Sequence, residues 1–343
     1  MGLLLIVEVI LRLTGSGYSN SPTDADHTLN WVHPANYEYK LFGITGEFQD
    51  FIVYFDSLHR RNQVPAKAIA HPPGTKQIAF LGDSFVEALQ VPYDSCFVGL
   101  LADQYRDISF LNYGVTGYGP VLYYLQCKKM LEEHAVRPAA VCMVLYSNDV
   151  RDDSSFLPRA VYHGNQIVAI NGGDKNYLLA LLRKSYLARL CNKVYLQWKY
   201  SRKMDTSAAG GNKLVKGTIE ENPSLNNTLS EEYILKTDSM LRAWQIPFYI
   251  TAIPSKYINF TADTTVHTFA QQAAGWSSAH SIPFINLSPH FDSLGVQAQQ
   301  KLFFDIDIHC NARGHRAIAD VMGKEIKELK TSLYARHQQK EIY

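Results

Sequence analysis

Apolar positions along the chain follow two rhythms. Short, nearly continuous runs rich in strand formers occur at Ile78–Leu81, Ile108–Tyr113, Ala139–Tyr146, Phe248–Ile253 and Phe284–Leu287. Between them, apolar residues recur every third or fourth position, as on one face of a helix. Such helices are expected over 95–105 (Phe97, Leu100, Leu101 and Tyr105), about 120–134, 229–244, 264–280 and about 312–333. The last carries a stripe of Ile318, Met322, Ile326, Leu329 and Leu333, with Asn311 placed to cap it. The run from Ala139 to Tyr146 has no polar alternation, as expected of a central parallel strand covered on both faces. Alternation of this kind predicts an α/β protein: a three-layer α/β/α sandwich on a five-stranded parallel sheet.

Three stretches break the rhythm and set the boundaries. Residues 1–14 are strongly apolar but interrupted by Glu8 and Arg12, and are shorter than the roughly 20 residues that cross a bilayer. They read as a short or truncated membrane anchor, with an interfacial or core helix as the alternatives. Residues 15–76 form an aromatic, proline-containing lead-in with one strand or strand pair at Phe51–Phe55, ending at His71-Pro72-Pro73-Gly74. An insertion at about 150–228 carries one expected helix (about 176–201) and the Gly/Ser/Asn-rich stretch Ser207–Asn212. The main domain is thus 77–334, with 335–343 as a tail.

Composition removes some classes. A formal net charge of +1 leaves no electrostatic footprint for nucleic acid. The 21 tyrosines fit a surface that meets sugars or lipids, among other roles. The five cysteines lack CxxC or zinc spacing, and Cys96, Cys127 and Cys142 sit in apolar runs where free buried thiols are usual.

Carboxyl ends of parallel strands meet along one edge of a doubly wound sheet, where ligands bind. Ser84, the glycines of Gly114-Val115-Thr116-Gly117-Tyr118-Gly119 and Asn148 therefore converge there. A nucleophilic serine needs a base and needs donors for the oxyanion. The N–H groups of Ser84 and Gly117 and the amide of Asn148 are suitable donors. His309 in Asp305-Ile306-Asp307-Ile308-His309 is the candidate base; in an extended segment Asp305, Asp307 and His309 share a face. Asp307 is the nearer carboxylate to orient the imidazole, with Asp305 in reserve. Each residue also has a plainer reading: Ser84 and Asp83 as helix-capping residues, the glycines as a tight turn, Asn148-Asp149 as a turn signal, and His309 as a structural histidine. GxSxG, P-loop and HExxH motifs are absent, and the glycine spacing is GxxGxG rather than GxGxxG.

Taken in order, Gly82-Asp83-Ser84, Asn112–Gly117, Ser147-Asn148-Asp149 and Asp307-Ile308-His309 resemble the four sequence blocks of the SGNH (GDSL-like) hydrolase superfamily. The resemblance covers about 77–149 and 246–330. It implies the flavodoxin-like fold of that superfamily, Ser84 as nucleophile, Ser84, Gly117 and Asn148 as the oxyanion hole, and His309 as base oriented by an upstream aspartate. Many members carry Asp-x-x-His, whereas position 306 is isoleucine. The Asp-x-His form resembles that of envelope glycan O-acetyltransferases, and the apolar N-terminus resembles membrane-tethered bacterial members. The implied activity is hydrolysis of an ester-linked acyl group, including O-acetyl on a carbohydrate, through an acyl-enzyme. The alternatives are an O-acyltransferase of an envelope glycan and a non-catalytic glycan-binding module. No cofactor or metal is expected, because each role has a protein group. The implied partners are acylated small molecules, carbohydrates or lipids, and the implied location is the bacterial cell envelope.

Overall fold

Residues 2–14, 23–41, 43, 47–171, 185–208, 224–256 and 268–340 are described by the computed structural model. The strands are β1 (Asp24–Asp26), β2 (Asn30–Val32), β3 (Tyr37–Leu41), β4 (Phe51–Phe55), β5 (Arg61–Asn62), β6 (Lys76–Gly82), β7 (Ile108–Gly114), β8 (Ala140–Leu145), β9 (Ala160–His163), β10 (Gln166–Ile170), β11 (Phe248–Ala252) and β12 (Phe284–Ile285). Eight of them form one sheet in the order β12-β11-β8-β6-β7-β5-β4-β3. The five expected strands, β6, β7, β8, β11 and β12, pair in parallel. β6 lies between β7 and β8, so the chain reverses its direction of winding across the sheet at β6. Such a reversal opens a crevice at the carboxyl ends of the flanking strands.

Residue alternation along these strands explains the three layers. Val141, Met143 and Leu145 of β8 join one buried cluster, with Ala79 and Leu81 of β6 and Leu111 and Tyr113 of β7. Ala140, Cys142 and Val144 enter the cluster on the opposite face, with Ile78, Phe80, Ile108 and Phe110. Every residue of β8 is buried, as a strand covered by helices on both sides requires. Helices Pro120–Glu132, Leu229–Ala243 and Thr268–Ala279 supply residues to the first face; Phe97–Gln104 and Ala312–Lys340 supply the second. Local chemistry starts these helices where the sequence suggests. Pro120 stands in the first turn after Gly119, and Thr228 caps through Glu231 N–H at 3.1 Å. Asn311 Oδ1 accepts from Arg313 and Gly314 N–H at 2.9 and 3.2 Å.

The lead-in is not an appendage. β3, β4 and β5 extend the sheet antiparallel beyond β7, with Arg61 opposite Asn112. Arg61 is 1% exposed. Its guanidinium donates to the carbonyls of Glu87 (2.5 Å), Val91 (2.6 Å) and Ala88, the residues that follow Ser84. Ala88 ends the short helix Ser84–Glu87 in a left-handed conformation, turning those carbonyls toward Arg61.

The insertion holds more structure than one helix. Asp149–Phe156 is helical, and β9 and β10 form an antiparallel hairpin. The expected helix begins at Tyr186 and runs to Ala208, so Ser207 and Ala208 continue it. Expectations over 176–184, 209–212 and 264–267 lie outside the described residues. Helix Gly2–Thr14 leaves Leu3, Leu4, Leu5, Ile6, Val9, Ile10 and Leu13 exposed. Its Glu8 accepts from Ser185 Oγ and from Tyr186 and Leu187 N–H, capping the second helix. Among the described residues no helix is long and apolar enough to cross a membrane.

Because Arg61 satisfies three backbone acceptors without access to water, Arg61→Met should destabilise the fold by about 2–4 kcal/mol. Urea unfolding followed by tryptophan fluorescence checks this; an unchanged midpoint would contradict it.

Candidate active site

β6 ends at Gly82, and Asp83 caps the helix that follows, its Oδ1 accepting from Phe85 N–H at 2.9 Å. This tight strand-to-helix exit presents Ser84 at the sheet edge, 9% exposed. Gly114, at the end of β7, allows the fit: a Cβ there would lie 2.1 Å from Glu87 N. Only glycine lets β7 end so close to the serine helix.

Ser84 Oγ stands 2.7 Å from His309 Nε2. On the far side of the ring, Nδ1 lies 2.5 Å from Asp307 Oδ1. That same oxygen accepts from His309 N–H at 2.9 Å. A carboxylate at Nδ1 keeps the proton there, leaving the Nε2 lone pair to receive the Ser84 hydroxyl. Burial alone would raise the Asp307 carboxyl, but its hydrogen bond and attraction to His309 outweigh burial and hold it below the usual range. Phe85 packs tilted against the imidazole, with ring centroids 4.8 Å apart. Gln90 Nε2 sits 3.1 Å from Nδ1. Since Nδ1–H already donates to Asp307, an amide turned to present its oxygen fits better. The present orientation leaves Gln90 Oε1 buried with no partner.

The two aspartates proposed to orient His309 separate here. Residues 305–309 are bent rather than extended, so the Asp-Ile-Asp-Ile-His alternation does not place both on one face. Asp307 reaches the ring, while Asp305 is exposed. The backbone of this loop is held from outside it, which overrides the period of its side chains.

Gly117 adopts φ +76, a left-handed turn that lets the segment after β7 fold back over the edge. The preceding residue is clamped: Glu87 Oε2 accepts from Thr116 N–H at 2.6 Å and from its hydroxyl. Glu87 in turn meets His33 Nε2 at 3.0 Å, both side chains being fully buried. Burial opposes a charge on Glu87, but His33 and Thr116 outweigh it and hold its carboxyl below the usual range. Asn148 stands just past the end of β8 and begins helix Asp149–Phe156. Its Nδ2 donates to Asp152 Oδ2 at 2.6 Å and also faces the Asp83 carboxylate. Ser84, Gly117 and Asn148 thus follow three adjacent strands. In sequence, Asp152 could have been found four residues from Asn148 on one helix face, and Glu87 three residues from Ser84. His33 carries no comparable signal.

Under this edge lies a group of buried acids. Tyr123 Oη and Tyr146 N–H donate to Asp149, and burial raises its carboxyl well above the usual range. Asp153 accepts from Val121 N–H at 3.1 Å and Ser230 Oγ at 2.7 Å. Burial pushes it up to about 7 in spite of those bonds.

No family model matches the chain, and no curated protein matches its sequence. Solved structures overlap it loosely. A member of the lipolytic G-D-S-L family from Veillonella parvula aligns at 16% identity and TM-score 0.38, over 74% of this chain and 97% of that one. The psychrotrophic esterase EstA from Pseudoalteromonas sp. aligns at 15% identity and TM-score 0.40, over 75% and 99%. An acetyl xylan esterase aligns at 13% identity and TM-score 0.42, over 73% and 99%. At these scores the chemistry must be judged from Ser84, His309 and Asp307 themselves.

Asp153 sets a pH dependence with a definite sign. Its ordinary value is 3.8 and its folded value about 7. Between the two, the native state keeps a proton that the unfolded chain has released, so its contribution is full at low pH and is lost as pH rises toward 7. Asp153→Asn should therefore gain stability relative to wild type at pH 8, with the advantage fading by about pH 4. Urea midpoints across that range test it; a constant difference would contradict it.

Proposed function

We propose that the protein is a serine esterase that cleaves an ester-linked acyl group through an acyl-enzyme. The observation that carries this reading is the chain Ser84 Oγ–His309 Nε2 at 2.7 Å and His309 Nδ1–Asp307 Oδ1 at 2.5 Å. His309 Nε2 takes the hydroxyl proton as Ser84 Oγ attacks the ester carbonyl carbon. Asp307 stabilises the imidazolium that forms. The developing oxyanion accepts from the N–H groups of Ser84 and Gly117. Asn148 supplies a third donor, exchanging Asp83 for the substrate oxygen while Asp152 keeps hold of the other amide hydrogen. One such donor is worth about 3 kcal/mol in the transition state. Collapse of the tetrahedral intermediate breaks the ester C–O bond, and His309 returns the proton to the leaving alcohol. Water, activated by the same imidazole, then attacks the acyl carbon and releases Ser84.

A carbohydrate is the favoured carrier of the ester. Trp31, half-buried on the lead-in, comes within 3.7 Å of where a Cβ of Gly117 would stand. An indole beside the oxyanion turn offers a flat apolar surface for a sugar ring. The same residue favours a second reading, in which a glycan hydroxyl replaces water as the acyl acceptor. The exposed apolar residues of helix Gly2–Thr14 support work at a membrane surface of the bacterial cell envelope.

Ser84→Ala and His309→Ala should each lower kcat/KM for a short-chain p-nitrophenyl ester by roughly three to five orders of magnitude. Fluorophosphonate should label wild type and not Ser84→Ala. Equal rates in all three proteins sink the mechanism, and an unlabelled wild type leaves only a glycan-binding role. Trp31→Leu should raise KM for an acetylated oligosaccharide by about threefold to tenfold while leaving p-nitrophenyl acetate nearly unaffected. Formation of acetylated glycan from an acetyl donor, above the hydrolysis background, would favour transfer.

A further inference from the structure

The loop that carries Asp307 and His309 is closed at its base by its own backbone. Phe303 and Cys310 form an antiparallel bridge, and Phe304 N–H donates to His309 O at 3.2 Å. Its tip has no regular structure, so the peptide groups there need partners from elsewhere. Two distant residues of opposite charge supply them. Glu47, from the lead-in, accepts Ile306 N–H on Oε1 at 2.8 Å and Asp307 N–H on Oε2 at 3.1 Å. Lys256, just past β11, donates from Nζ to the carbonyls of Phe304 (2.7 Å), Asp305 (2.7 Å) and Asp307 (3.0 Å).

We infer that Glu47 and Lys256 are positioning residues for the catalytic base, an inference that rests on the serine-esterase reading. Glu47 binds the loop's donors and Lys256 its acceptors, so neither can substitute for the other. Together they hold both peptide groups of Asp307, the N–H through Glu47 and the carbonyl through Lys256. With that backbone held, the Asp307 side chain turns inward to His309 N–H and Nδ1. Phe48, the neighbour of Glu47, packs edge-on against Phe304 with centroids 5.6 Å apart, keeping the lead-in against the loop. These bonds all run to the backbone of the loop. Each acts through Asp307.

The charge types suit the task. A carboxylate presents two acceptors at the spacing of successive N–H groups, and an ammonium presents three donors. Glu47→Gln keeps the size but turns one acceptor into a donor facing an N–H. Lys256→Met keeps the stem and removes all three bonds. Both changes loosen the aim of Asp307 without removing a reacting group.

The test uses the full chain in three measurements: steady-state kinetics, thermal unfolding, and the downfield imidazole proton resonance of His309, assigned by its loss in His309→Asn. Glu47→Gln and Lys256→Met should each lower kcat about tenfold to a hundredfold, with KM changed by less than about twofold. The Nδ1 proton resonance should shift or broaden in both, and Lys256→Arg should recover most of the rate. Wild-type kcat in both variants overturns the inference. So does a rate loss matched only by a fall in Tm while the resonance stays in place, since that marks a purely structural clamp. If wild-type protein neither turns over esters nor reacts with fluorophosphonate, the esterase reading fails instead. The resonance in the two variants still reports whether the clamp aims Asp307.

Discussion

The buried carboxylate of Glu87 joins three parts of the molecule that are far apart in the chain. It lies three residues after Ser84, on the same short helix. One oxygen meets His33 of the lead-in, and the other holds Thr116, the residue before Gly117. A charge in so dry a place is costly unless every lone pair finds a partner. Here the partners come from separate segments, so satisfying Glu87 requires the lead-in, the serine helix and the turn after β7 to be in register together. Stacking of His33 on Phe55, with centroids 3.9 Å apart, ties the same point to β4. Arg61 adds a second tie from β5 to the end of the serine helix.

The proposed chemistry takes its geometry from this arrangement. A parallel sheet delivers strand ends to one edge but leaves the following turns free to vary. Each turn at the edge is held by a side-chain polar contact: Asp83 on Phe85 N–H, Glu87 on Thr116, and Asp152 on Asn148. The imidazole arrives from the far end of the chain on a loop whose tip is fastened through Glu47 and Lys256. Orientation of this kind carries much of the rate in acyl transfer, because the donors and the base need little reorganisation as charge develops. The acids beneath the edge add a stability cost as pH rises, and their hydrogen bonds to Tyr123, Val121 and Ser230 show what they give in return: they lock the helices that begin there.

Sequence by itself determined the five parallel strands and the helices around them, because each is a local matter. Period and run length report which faces are buried, and a capping residue such as Asn311 marks where a helix starts. It also determined which residues are suited to the chemistry, since Ser84, Asn148 and His309 each follow a legible strand or precede a legible helix. Only the tertiary structure decided the rest. Asp307 prevails over Asp305 because the loop is bent by partners 51 and 260 positions away, Lys256 and Glu47, and no local period encodes that. Of the three antiparallel strands, β4 was legible as the apolar run Phe51–Phe55, while β3 and β5 were hidden because they are short and of mixed polarity. Glu47, Lys256, His33 and Arg61 were invisible for another reason: three of them act on backbone groups, which every residue possesses. Backbone partners leave no pattern in a sequence. They become readable only when the chain has brought them within hydrogen-bond distance.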